Sequence, residues 1–240
     1  MTTTSSADKA AALRGRVRGT WIAALAIVAG GVGELSAQGG LPADTAAAPI
    51  SARAPLVQSS DLVLGAVFLA SFGAIWVEEV DELIAPHPEG TDTFARSFGR
   101  RLGNSAVVAG LTGATFLIGK ATGSETTARV GLRSLESFLL TAGLTSVIKI
   151  GLGRARPDSE FDSRHFHPLA FEHSFWSFPS GHTANVFALA TTLSLELGDE
   201  APWLPYVAYP LAGWTGLTRI LDGEHWLTDV VAAAAVGIFS

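Results

Sequence analysis

The sequence predicts an all-α protein, a helical bundle of about six main helices embedded in or associated with a membrane. Three observations carry that expectation. Of the 240 residues, 48% are hydrophobic and only 16% are charged, where average soluble domains are roughly 25% charged. Uncharged runs of helical length recur along the chain, and helices apolar on every face are easier to place in a bilayer than in a small aqueous core. There is no credible series of alternating strands and no internal repeat. The runs fall short of the roughly 20 residues of a full span, so a soluble bundle remains the alternative. The net charge of −6 argues against nucleic acid as a partner. With no cysteine, disulfides, thiolate metal sites and thiol nucleophiles are excluded.

Residues 1–20 are polar and then basic, with Lys9, Arg14, Arg16 and Arg18, and Trp21 to Val32 is free of charge. Small residues at Ser36 and Ala37 complete the pattern of a signal peptide over 1–37, with an uncleaved N-terminal anchor as the alternative. Either way the basic end stays cytoplasmic and the chain beyond the apolar run is exported. Residues 38–60, rich in Ala, Pro and Ser, read as a linker. The folded domain is then 61–240. Its first helix is Leu62 to Val77, closed by Glu78, Glu79, Asp81 and Glu82 as a solvated acidic end, with Pro86 and Pro88 beyond it. His87, between those prolines, reads as an exposed loop residue.

Phe94 to Leu102, carrying Arg96, Arg100 and Arg101, reads as a short surface helix. Asn104 to Gly119 is the next helix, its Gly110, Gly113 and Gly119 predicting close helix approach. A long helix runs from Thr126 to Ile150, with Lys149 near its end. Pro157 to Phe178 is a loop of a length that often forms a lid or a binding loop. Its His165, His167 and His173 invite a metal, but their mixed spacing matches no known ligand pattern. Thr183 to Leu197, Trp203 to Leu217 and Trp226 to Phe239 complete the helices, with breaks at Gly198, Pro202 and Pro205.

Three polar clusters interrupt this apolar chain. The first, Lys149 to Pro157, sets a lysine at the end of an apolar helix, where a lone cation needs an anionic partner or must reach a membrane surface. The second is Phe178-Pro179-Ser180-Gly181-His182-Thr183, a small-residue turn opening a helix. Ser180 is a good N-cap, Gly181 permits close approach of a ligand, and the helix start favours an anion. The third, Thr218 to Asp229, holds Arg219, His225 and Asp229. Four residues apart on a helix, His225 and Asp229 would share a face, and the aspartate could fix one imidazole nitrogen and present the other. Taken singly, a helix cap and a surface ion pair would explain the last two clusters.

Together the clusters resemble the signature of the type 2 phosphatidic acid phosphatase (PAP2) family, which shares its site with vanadium-dependent haloperoxidases and bacterial class A acid phosphatases. The family pattern is lysine, six residues, Arg-Pro; then Pro-Ser-Gly-His; then Ser-Arg, five residues, His, three residues, Asp. Here it reads Lys149 with Arg156-Pro157, Pro179-Ser180-Gly181-His182, and Arg219, His225 and Asp229, with Thr218 in place of the family serine. The resemblance implies that His225 is the nucleophile, Asp229 orients it, and His182 serves as acid and then base. It implies that Lys149, Arg156, Ser180, Gly181 and Arg219 bind the phosphate, with no metal and no cofactor. Arg154 is a candidate substitute for Arg156, although Pro157 favours Arg156.

The function implied is a phosphatase acting on a phospholipid or isoprenoid phosphate, through a phosphohistidine, at the periplasmic face of a bacterial inner membrane. A soluble periplasmic or secreted acid phosphatase is the alternative, and a vanadium haloperoxidase or an inactive membrane scaffold the more distant ones.

Overall fold

The computed structural model describes residues 59–77, 80–81 and 93–240. The expected signal peptide or anchor over 1–37, nearly all of the 38–60 linker, and Glu78, Glu79, Glu82, Pro86, His87 and Pro88 lie outside the described residues. The chain divides between Leu62 and Val63, and the helical bundle with its polar clusters belongs to the unit Val63–Ser240.

Seven α-helices occur among the described residues: α1 Ser59–Ala74, α2 Phe94–Leu102, α3 Ser105–Thr122, α4 Glu125–Leu152, α5 Gly181–Leu197, α6 Leu204–Leu221 and α7 Leu227–Phe239. The only other regular pieces described are a 3-10 turn at His173–Phe175 and one isolated bridge between Arg154 and Phe166. Polar caps set the helix starts. Asn104 accepts from the N–H groups of Ala106 and Val107 at 3.0 and 3.3 Å, and Ser124 from that of Thr127 at 3.3 Å, satisfying donors a helix leaves unpaired. Pro205, expected as a breaker, instead sits in the first turn of α6, where a missing N–H costs nothing.

Helix α5 is the hub, packed against α4, α6 and α7. The α3–α4 pair is the tightest. A Cβ at Gly119 would lie 2.2 Å from the Ala128 nitrogen, and one at Gly131 2.2 Å from the Phe116 nitrogen. Only glycine admits backbones that close. Of the three glycines expected to mark close approach, Gly110 and Gly113 face nothing within 4 Å, so Gly119 alone does so, joined by Gly131.

A small aromatic core fixes the start of α5. Phe178 is fully buried with Ile75 and Ala232. The rings of Phe68 and Phe72 on α1 lie 5.6 and 5.7 Å from it. Burying a ring of this size is worth roughly 1.5–3 kcal/mol, and here it anchors the residue immediately before Pro179-Ser180. On the outside, α3 exposes Val107, Leu111, Leu117 and Ile118, and α4 exposes Leu132, Leu139, Leu140 and Val147. Both helices are long and apolar enough to cross a membrane, and their exposed faces are what lipid tails accept.

Candidate active site

Four helix ends bring the three clusters together. Lys149 stands in the last turn of α4, where its Nζ donates to the carbonyls of Trp176 and Ser177 at 2.6 and 3.3 Å. Gly153 ends that helix at φ 61°, and a Cβ there would lie 1.8 Å from the His167 carbonyl oxygen. This left-handed residue turns the chain from α4 into the loop that carries Arg154 and Arg156.

The Arg156 guanidinium donates from Nε to the His173 carbonyl at 3.0 Å, and its Nη2 lies 3.2 Å from His173 Nε2. For Nε2 to accept, that nitrogen must be unprotonated, and the Arg156 charge itself pushes the His173 pKa down. Arg219, in the last turn of α6, is held by Asp222 at 3.3 Å. Asp222 also receives Arg96 of α2 at 2.8 Å, so the short arginine-bearing helix expected at the surface is tied to the end of α6. Glu224 then bridges the two site arginines, one carboxylate oxygen on Arg156 and the other 3.3 Å from Arg219 Nη2. The charges of Arg156, Arg219, Glu224 and Asp229 all act on Lys149.

His225 and Asp229 meet, but not through a shared helix face. His225 precedes α7, which starts at Leu227. Asp229 is in the first turn of that helix, and its Oδ2 reaches back to accept the Trp226 N–H at 2.9 Å, as the acidic residue of a capping box does. This return places Oδ2 3.5 Å from His225 Nδ1, with both side chains buried. Burial pushes the His225 pKa well below the usual imidazole range, against the opposing pull of Asp229. A neutral ring with its proton on Nδ1, towards Asp229, leaves the Nε2 lone pair free to attack.

At the start of α5, Ser180 is fully buried. Its N–H donates to the Asp229 carbonyl at 3.1 Å, and its Oγ accepts from the Thr183 hydroxyl at 2.9 Å. Its backbone donor is therefore already committed, and Ser180 ties α5 to α7. Gly181 and His182 begin the helix, where N–H groups lack intrahelical acceptors. Lys149 Cε lies 3.8 Å from where a Gly181 Cβ would stand. His182 is half-buried and feels the charges of Arg219, Glu224, Lys149 and Arg156. Thr218, the departure from the family serine, donates to the Thr215 carbonyl at 2.7 Å within its own helix.

Residues 131–240 match the PAP2 superfamily. The matched segment includes every site residue expected from the three clusters. Lipid A 1-phosphatase of Porphyromonas gingivalis is 39% identical over 99 residues, which is 41% of this chain and 19% of that protein. Phosphatidylglycerophosphatase B of Bacillus subtilis is 33% identical over 115 residues, 45% of this chain and 53% of that protein. The chain thus spans about half, or less, of these curated relatives. The crystal structure of the transmembrane PAP2 type phosphatidylglycerolphosphate phosphatase from Bacillus subtilis superposes with a TM-score of 0.56 at 24% identity. That likeness covers 76% of this chain and 92% of that one, and it shows the fold.

Several residues around the PAP2 signature were not legible as site residues. Arg154 does not substitute for Arg156. It is fully buried on the far side of Asp229, donating to Asp229 Oδ1 at 2.5 Å and to Asp81 at 2.6 Å. Asp81, expected at a solvated acidic helix end, is 4% exposed. Ser177 donates to Asp229 Oδ2 at 2.5 Å. Glu224 lies within the third cluster without a signal of its own, and His173 drew notice only as one of three loop histidines that invite a metal. Among the described residues no group of three His, Cys, Asp or Glu could hold a metal.

Proposed function

We propose that the chain is a PAP2-type phosphatase that hydrolyses a lipid phosphate monoester or pyrophosphate through a phosphohistidine. The observation that carries this is the buried His225–Asp229 pair set among Lys149, Arg156 and Arg219. Those three cations hold the phosphoryl oxygens and offset the charge that builds as phosphorus becomes five-coordinate. Arginine suits this through its planar fork, and lysine acts as a point charge. The N–H groups of Gly181 and His182 add donors at the start of α5. His225 Nε2 attacks phosphorus in line, and Asp229 stabilises the imidazolium that forms. His182 protonates the departing alkoxide and then takes a proton from the water that cleaves the P–N bond.

The lipid substrate is supported by the names of the relatives, a lipid A 1-phosphatase and a phosphatidylglycerophosphatase, and by the two apolar helices long enough to span a bilayer. The basic N-terminal segment supports a periplasm-facing site in the inner membrane.

The test is phosphate release from phosphatidic acid, undecaprenyl pyrophosphate and nitrophenyl phosphate by full-length protein in detergent, with EDTA present. Turnover of a lipid substrate, lost together with phosphoenzyme formation in His225→Ala, is the expected result. Undiminished turnover in that variant overturns the mechanism.

A further inference from the structure

Asp81 lies far from the PAP2 signature in sequence, yet it ends in the network that holds Asp229. Its Oδ2 accepts from Arg154 Nη2 at 2.6 Å. Its Oδ1 accepts both the backbone N–H and the hydroxyl of Thr228, at 2.9 and 2.8 Å. Arg154 also donates to Asp229 Oδ1 at 2.5 Å, the Thr228 hydroxyl at 2.7 Å and the Ser163 carbonyl at 2.8 Å. Asp81, Arg154, Thr228 and Asp229 are all buried.

We infer that Asp81 is a positioning residue for the reaction, acting through Arg154 and Thr228 on the Asp229 carboxylate. A guanidinium beside one carboxylate prefers to grip both of its oxygens with two parallel bonds. Asp81 occupies Nη2 and so confines Arg154 to Asp229 Oδ1. That leaves Oδ2 facing His225, where it also receives Ser177 and the Trp226 N–H. By binding the Thr228 N–H as well, Asp81 fixes the first turn of α7, and with it the position of Asp229. Asp81 touches neither phosphate ligand nor nucleophile. Its loss should slow the attack of His225 while leaving phosphate binding to Lys149, Arg156 and Arg219 intact.

The inference rests on the proposed roles of His225 and Asp229, and the controls separate the two. Purified full-length protein is assayed on nitrophenyl phosphate, with orthovanadate inhibition as the measure of anion binding. Asp81→Asn keeps the shape and removes the charge. Its kcat should fall by about tenfold or more, the scale seen when a group orienting a reactive ligand is lost. KM and the vanadate inhibition constant should stay within about twofold of the parent. Asp81→Asn added to Asp229→Asn should cost nothing further, because the residue acts through that carboxylate. A purely structural residue would cost as much in either background. A parent-like kcat in folded Asp81→Asn, or full additivity with Asp229→Asn, overturns the inference. Should Asp81→Asn not fold, Arg154→Lys tests the same link, since an ammonium keeps the charge without the fork. A parent-like kcat there also overturns the inference. If Asp229→Asn and His225→Ala themselves retain full turnover, the proposed mechanism falls as well.

Discussion

Glu224 places an anion between Arg156 and Arg219, the two arginines proposed to grip phosphate. Its side chain is 33% exposed, so the pairing is partly screened by solvent and its net worth is modest, on the order of 1 kcal/mol. A phosphate entering the site competes with that carboxylate for both guanidinium groups. Glu224→Gln should therefore tighten inhibition by inorganic phosphate by about fivefold, the equivalent of that energy. Titration of phosphate against turnover checks this, and weaker inhibition would mean that Glu224 orders the arginines rather than competing with the ligand. The arginines themselves were legible from spacing. Glu224 was not, because its role depends on two side chains arriving from different helix ends.

At the scale of elements, helix existence was legible and helix function was less so. The boundaries of α2 follow from its Thr93 cap and Gly103, and the structure reproduces Phe94–Leu102 as expected. His225 and Asp229 were expected on one helix because four residues make a turn. The chain instead starts α7 after Trp226, and the capping return of Asp229 makes the contact. Both routes bring the pair together, so the pairing was legible and its geometry was not. Glycine spacing marked α3 as close-packed without saying which of its glycines touch or which helix they meet. Gly131→Ala should destabilise the folded protein by roughly 1–3 kcal/mol through overpacking against Phe116. Gly143→Ala, with nothing within 4 Å, should be neutral or stabilise by up to about 1 kcal/mol through helix propensity. Thermal unfolding of both variants in one detergent compares them, and equal effects would refute the close contact.

For the whole molecule, the exposed apolar faces of α3 and α4, both long and apolar enough to cross a membrane, lead to the prediction that the protein sits in a bilayer. It should sediment with membranes, resist extraction by alkaline carbonate and be released by detergent. Recovery in a carbonate-soluble fraction would return the soluble alternative to the front. The site collects at one set of helix ends: the last turns of α4 and α6 and the first turns of α5 and α7. There the polar backbone of the ends and the charged side chains satisfy one another, while the apolar helix flanks face outwards.

What the sequence by itself determined is the helical class, the order of the helices and the residue types of the proposed phosphate site. Those are local: apolar runs, caps and fixed spacings are properties of neighbouring residues. Only the tertiary structure decided that Arg154 is buried in a pair with Asp229, that Asp81 is buried against them, and that the Ser180 N–H is spent on the Asp229 carbonyl. The physical reason is burial. A charge or polar group taken out of water must find its partner wherever the fold brings one, and sequence distance does not constrain that choice.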